Sequence, residues 1–130
     1  MKRLVDIFNY QQAYDDLYDL MNLEYNWNGY GAPAGTAYPY ERAVPLLNLL
    51  RDNKLPAPDI TATGNRTIQL EWENAGHYLE IELHDNFVSV LRAVLGKNNK
   101  VFCDRNYDYK EEDKILEQVE RWDQKLPFLR

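Results

Sequence analysis

This chain has one cysteine, two histidines and no long apolar run, and each scarcity removes a class of protein. A lone Cys103 cannot close an internal disulfide, so the framework of a small secreted protein is excluded and a cytoplasmic compartment is the simplest expectation. Cys103 itself reads as a small buried hydrophobe. No segment approaches the roughly 20 apolar residues that span a bilayer. The opening MKRLVDIFNYQQ holds too few apolar residues before Asn9, Gln11 and Gln12 for a signal-peptide core. Cations are also outnumbered: 15 Lys and Arg against 21 Asp and Glu leave a net charge of -6, which disfavours direct nucleic-acid binding. His77 and His84 stand seven residues apart in a stretch of strand period, roughly 24 Å, so they do not share a site.

The chain does contain ten tyrosines among 130 residues. Tyrosine offers stiff, amphipathic contact area and is enriched at protein interfaces. The length fits one domain that buries roughly two-thirds of its unfolded surface. A first helix is expected from about Asn9 to Leu23, with Tyr10, Tyr14, Leu17 and Met21 on its buried face and Asp15, Asp16 and Asp19 solvated. Asn26-Trp27-Asn28-Gly29-Tyr30-Gly31-Ala32-Pro33 then reads as an ordered loop, since Gly29 and Gly31 permit positive φ and Pro33 forbids helix. The expectation is structural: Trp27 anchors the loop in the core. The functional alternative places Trp27 and Tyr30 on a binding surface. A second helix opens at Tyr38-Pro39-Tyr40-Glu41 and buries Ala43, Leu46, Leu47 and Leu50, with Pro45 kinking it or marking its first turns. Leu55-Pro56-Ala57-Pro58 forces an extended connector.

From Asp59 the period changes to two, through 60–63, 67–73, 77–84, 87–95 and 100–103, so an antiparallel meander of four to five strands is expected. A possible capping box at Asp108 and Glu111 starts a last amphipathic helix with Ile115, Val119, Trp122 and Leu126 on one face, stopped by Pro127. The fold class is therefore α+β, with two N-terminal helices and a C-terminal helix packed on the sheet.

The segment from Thr67 to Leu83 carries the most information. Between Thr67 and Leu91 lie Glu71, Glu73, Glu80, Glu82 and Asp85 but no Lys or Arg. Ile68, Leu70 and Trp72 share one face of the first strand, and Leu79, Ile81 and Leu83 share one face of the second. A turn centred on Ala75-Gly76 then sets Trp72 against Leu79, Leu70 against Ile81, and Ile68 against Leu83. On the other face Glu73 meets Tyr78, Glu71 meets Glu80, Gln69 meets Glu82 and Thr67 meets His84. Like charges directly opposed cost up to roughly 1 kcal/mol, so something should offset Glu71 against Glu80.

Four compensations are open. Solvent screening is the simplest. An internal cation is the second, and Arg92 is its best candidate. A two-residue turn at Asp85-Asn86 sends Arg92 to the core face, while a bulge moves it beside Glu80; burial of an unpaired Arg is costly, so a bulge or a sheet-end position is expected. Third is a partner's basic surface, with Tyr78, Phe87 or Leu91 as apolar anchors. Fourth is chemistry, although same-face residues on a strand stand ~6.8 Å apart and a flat sheet makes no cleft for a metal or a carboxyl pair.

NWNGYGAP, a following helix, and LPAPDITATGNRTIQLEWENAGHYLEIEL together resemble a family of small bacterial and phage proteins that carries no assigned activity. Its members show an NWDGYGA-like loop, a helix ending in Leu-Pro, and an IQLEW...LEIE hairpin; the likeness covers about Leu23 to Leu83. It marks Trp27, Gly29, Gly31, Trp72, Glu80 and Glu82 as signature positions without giving them roles. Thr63-Gly64-Asn65-Arg66 departs from the family's Pro-Asp-Gly-Gly-like turn.

The leading expectation is a non-enzymatic, acidic protein-binding module: an inhibitor, antitoxin, immunity-like or accessory protein covering a partner's basic surface through Glu71, Glu73, Tyr78, Glu80 and Glu82. No catalytic residue, metal, cofactor, nucleic acid or membrane enters this reading. The alternatives are a small metal-dependent hydrolase using Glu71, Glu80 and Glu82, or a structural subunit in a homo-oligomer or larger assembly.

Overall fold

A computed structural model describes residues 4–125, and shows an α+β fold of three helices and a five-stranded antiparallel sheet. Leu126 and Pro127, expected to end the last helix, lie outside the described residues. The first helix, α1, runs Leu4–Met21, starting before the expected Asn9 because one asparagine costs a helix interior only a fraction of a kcal/mol. Tyr10, Ala13 and Leu17 are its buried stripe, with Tyr14 half-buried. Met21 corrects the expectation: it is 48% exposed, because it lies in the final turn, beyond the surface that covers the stripe.

The next helix, α2 (Tyr40–Asp52), buries the four expected residues Ala43, Leu46, Leu47 and Leu50. Pro45 falls inside the helix on its exposed side, so the intrahelical bond its missing N–H forgoes is lost at the surface and not in the core. The strands follow as β1 (Asp59–Ala62), β2 (Ile68–Asn74), β3 (His77–Leu83), β4 (Val88–Val94) and β5 (Lys100–Tyr107). They pair in sequence order, so the sheet is a meander. The last strand extends four residues beyond the expected Cys103, its ladder resuming after a bulge at Arg92/Ala93. The closing helix, α3 (Glu112–Lys125), is preceded by half of the expected capping box: Asp108 N–H donates to Glu111 Oε1 at 3.0 Å.

The β2–β3 register is the one that side-chain parity requires, with Trp72 opposite Leu79, Leu70 opposite Ile81 and Ile68 opposite Leu83. Ala75 and Gly76 both take positive φ, +51° and +86°, as a two-residue hairpin turn of this hand demands. All three helices lie on one face: α1 against β1, α3 against β3 and β4, and α2 against α1 and α3. Ile68, Leu70, Leu79, Ile81 and Leu83 are fully buried beneath them. Three indole and phenol groups fasten the layers. Tyr10 Oη donates to Leu55 O at 2.7 Å, Trp72 Nε1 to Pro56 O at 2.8 Å, and Trp122 Nε1 to His77 O at 3.0 Å.

Where α1 ends, the chain turns back so tightly that Gly35 N–H bonds Leu23 O at 2.7 Å. A Cβ on Gly35 would stand 2.3 Å from Leu20 O, a backbone atom that cannot swing away. Gly29 differs: its φ is +78°, but a Cβ there would meet open space. Gly35→Ala is therefore expected to destabilise by about 3 kcal/mol and Gly29→Ala by about 1–2 kcal/mol, the cost of left-handed backbone alone. Urea midpoints of the two variants check this ranking, and equal losses would refute the close approach at Gly35.

Candidate functional site

Because the helices cover one side, the other side of the sheet is left open. Its central row runs Asp59 on β1, Glu71 on β2, Glu80 on β3, Leu91 on β4 and Asp104 on β5. Three carboxylates thus stand on three adjacent strands, spaced by roughly 4.8 Å per strand. Asp59 and Asp104 were missed as members of this row. Parity on β1, where Ile60 faces Leu70, carries the signal that aligns Asp59 with Glu71. The flanking rows hold Gln69, Glu82 and Ser89 on one side and Glu73, Tyr78 and Ala93 on the other.

Arg92 does not balance this face. Residues 84–87 connect β3 to β4, and His84 N–H donates to Phe87 O at 3.0 Å, closing a two-residue turn at Asp85 and Asn86. That loop sets Arg92 opposite Leu79 on the helix-covered side, and Leu91 opposite Glu80. The expected bulge is absent from this hairpin; the irregularity falls on the other edge of β4, between Arg92 and Ala93. Arg92 is buried, contrary to the expectation from its charge.

A tyrosine supplies what the arginine does not. Tyr78 Oη donates to Glu80 Oε1 at 2.7 Å, and the charge of Glu71 also acts on it. Burial, then the bond to Glu80 and the charges of Glu80 and Glu71, hold its phenol well above the ordinary tyrosine range. Tyr78 was expected as an apolar anchor for a partner. Its hydroxyl is instead committed within the acidic row, while its ring stays half-buried.

The remaining acids split by task. Glu73 Oε1 accepts the Gly76 N–H at 2.9 Å and so braces the hairpin turn. Glu82 Oε2 accepts from the buried Thr67 hydroxyl at 2.9 Å and lies 3.7 Å from His84 Nε2. Phe87 stacks on His84 at 4.1 Å. Among the described residues, no group of three or more His, Cys, Asp or Glu side chains is placed to hold a metal ion. No described helix is long and apolar enough to cross a membrane.

The NWNGYGAP loop lies apart from this face. Its shape comes from its two asparagines as much as from its glycines: Asn26 Oδ1 accepts from Gly31 N at 2.6 Å, and Asn28 Oδ1 from Tyr30 N at 2.8 Å. Asn26 itself takes φ +64°, which asparagine tolerates. The expectation that Trp27 anchors the loop in the core fails, since Trp27 is 37% exposed and Tyr30 is 92% exposed. Hydrogen bonds fasten the loop from within, so the ring is free of that duty. Tyr25, Gly31 and Pro33 line a hollow shared with Gly64, Asn65 and Arg66 of the β1–β2 turn.

No family model matches the chain, and no curated protein or solved structure matches it either.

Tyr78→Phe removes the hydrogen bond to Glu80 and is expected to cost about 1 kcal/mol. Glu80→Gln ends the like-charge opposition and is expected to recover up to about 1 kcal/mol, less as salt is raised. Urea unfolding at low and high salt tests both signs. At alkaline pH a second effect enters. Burial raises the ionisation of Tyr40, to about 12, and of Tyr78 and Tyr109 above their ordinary values. Below about pH 10 these phenols are protonated in both states, while above it the unfolded chain releases protons that the folded chain keeps. Stability is therefore expected to fall as pH rises from about 10, read as a falling urea midpoint, and to fall less steeply in Tyr40→Phe. A urea midpoint that stays constant between about pH 9 and about pH 11 would contradict it.

Proposed function

We propose that this protein is a non-enzymatic binding module whose open, acidic sheet face covers a basic surface on a partner protein, as an inhibitor, antitoxin, immunity-like or accessory protein does. The observation that carries this reading is the row Asp59, Glu71 and Glu80, in which no Lys or Arg faces an acid. A solvated sheet face gains nothing from opposed carboxylates, since they cost stability wherever they stand. A surface that meets a basic partner recovers that cost in the complex, and its field speeds encounter.

The five residues expected at the interface fall into two groups. Glu71 and Glu80 form its charged centre with Asp59, and Tyr78 holds Glu80 in place. Glu73 and Glu82 form the flanks, each with an oxygen already engaged in the fold. Leu91, half-buried beside Glu80, offers the apolar contact among the acids. The metal-dependent alternative has no comparable support, because Glu71, Glu80 and Glu82 lie on a flat surface without converging donors. A cytoplasmic setting belongs to the same proposal.

Affinity capture from the native host followed by titration of the recovered protein tests the reading. Binding is expected to weaken steeply with salt, and Glu71→Lys with Glu80→Lys to lower affinity by about 30-fold or more, through slower association and faster release. A partner that ignores both salt and the charge reversal would refute it.

A further inference from the structure

The helix-covered side of β4 holds a second electrostatic anomaly, of the opposite sign. Arg92 lies opposite Leu79 and Cys103 and retains only 6% of its exposure. Its Nε donates to the neutral Oε1 of Gln118 at 3.1 Å, and its guanidinium carbon sits 5.2 Å from the centre of the Phe102 ring. Among the described residues no carboxylate forms an ion pair with it. A guanidinium taken from water is stable there only with a close opposite charge and further hydrogen bonds. One bond to an amide and one aromatic face fall short of that.

The two Nη groups are not sealed in. The Tyr40 hydroxyl is the one buried side-chain polar atom without a partner among the described residues, so the Arg92 Nη atoms keep contact with water. More positive charge flanks Arg92 along the same side of the sheet, Lys100 opposite Val94 and Arg105 opposite Val90. Lys100 Nζ lies 5.3 Å from the Phe102 ring centre, and Arg105 Cζ lies 5.0 Å from that of Tyr107. Arg121, on α3, is near enough for its charge to act on Arg92. The carboxylates in this group are Glu117, which pairs with Arg121 at 2.6 Å, and Glu111, whose charge acts on Arg105 and which pairs with Lys114. The Tyr107 hydroxyl, 3.4 Å from Gln118 Nε2, adds a polar group to the wall.

We propose that the seam between β4, β5 and α3 binds an oxyanion of the phosphate class, with the water-accessible Nη groups of Arg92 as its donors and Lys100, Arg105 and Arg121 as flanking charge. The planar fork of Arg92 matches two oxygens of one phosphoryl group, and the ion supplies the counter-charge that the fold leaves out. Four cations against Glu111 and Glu117 leave a net positive charge, which favours a dianion over a single carboxylate. This site lies on the opposite side of the sheet from the acidic row, so it stands or fails independently of the partner reading above. Free phosphate and a phosphoryl group carried on a larger molecule share this chemistry.

Thermal melts of the whole chain with inorganic phosphate, phenyl phosphate or acetate at matched ionic strength test the site. Phosphate is expected to raise the melting temperature of the wild type saturably, by several degrees once it exceeds its Kd about tenfold. Arg92→Gln is expected to lose that response, and Arg92→Lys to bind about tenfold more weakly or worse. Should Arg92→Gln fail to fold, the exposed pair Arg105→Gln with Arg121→Gln reads the same site, weakening phosphate several-fold at the modest stability cost of one exposed ion pair and one ring contact. Tighter binding of phenyl phosphate assigns the site to a carried phosphoryl group, and equal binding assigns it to the free ion. An equal rise in wild type and Arg92→Gln, or an acetate response matching that of phosphate, would overturn the proposal.

Discussion

The strict two-residue period of the β2–β3 hairpin governs everything else in this molecule. Once Ala75 and Gly76 adopt positive φ, Ile68, Leu70 and Trp72 must share a face with Leu79, Ile81 and Leu83. That face is apolar, so the helices have one place to pack. Its complement is Glu71, Glu73, Tyr78, Glu80 and Glu82, which the same rule sends to the open side. A shift of one residue would bury several carboxylates together, at a cost no other interaction in the sheet could offset. The acidic surface and the hydrophobic core are thus two consequences of one register.

That register explains why so much of the fold was legible in the sequence. Alternation is a local signal, and it placed five strands, the hairpin pairing and the opposition of Glu71 to Glu80. The helical stripes of α2 and α3 were legible for the same reason, since Ala43, Leu46, Leu47 and Leu50, and Ile115, Val119 and Trp122, repeat at helical spacing. What was not legible depended on partners distant in the chain. Met21 continues the stripe of α1 beyond the surface that covers it. Trp27 is freed from the core by hydrogen bonds from Asn26 and Asn28 that no periodicity reports. Gly35 is required by the carbonyls of Leu20 and Met21, and nothing in GTAY distinguishes it from a permissive loop glycine.

Arg92 shows the limit most plainly. The sequence poses a choice between two turn lengths at Asp85-Asn86, and the general cost of a buried arginine argues for the wrong one. The two-residue turn prevails because Val88 and Val90 need the core face, and their burial outweighs one unfavourable guanidinium on the same strand. The arginine is then carried inward by its neighbours, and Gln118 and Phe102 only partly accommodate it. Charge is thereby separated across one sheet: carboxylates on the open side, and Arg92 with Lys100, Arg105 and Arg121 at the seam with α3.

Tyr78 deserves a different physical reading from the other tyrosines. A lysine in its place would neutralise the acidic row and erase its field; an apolar residue would leave Glu71 and Glu80 to repel one another and move apart. A phenol does neither. It donates one hydrogen bond to Glu80 and adds no charge, so the row keeps its full negative potential while Glu80 is held in place. Side chains held in place before an encounter lose less entropy when a partner arrives. The opposition of Glu71 to Glu80 is therefore a charge concentration in which a neutral group fixes Glu80 in position, the arrangement on which the proposed basic partner would dock.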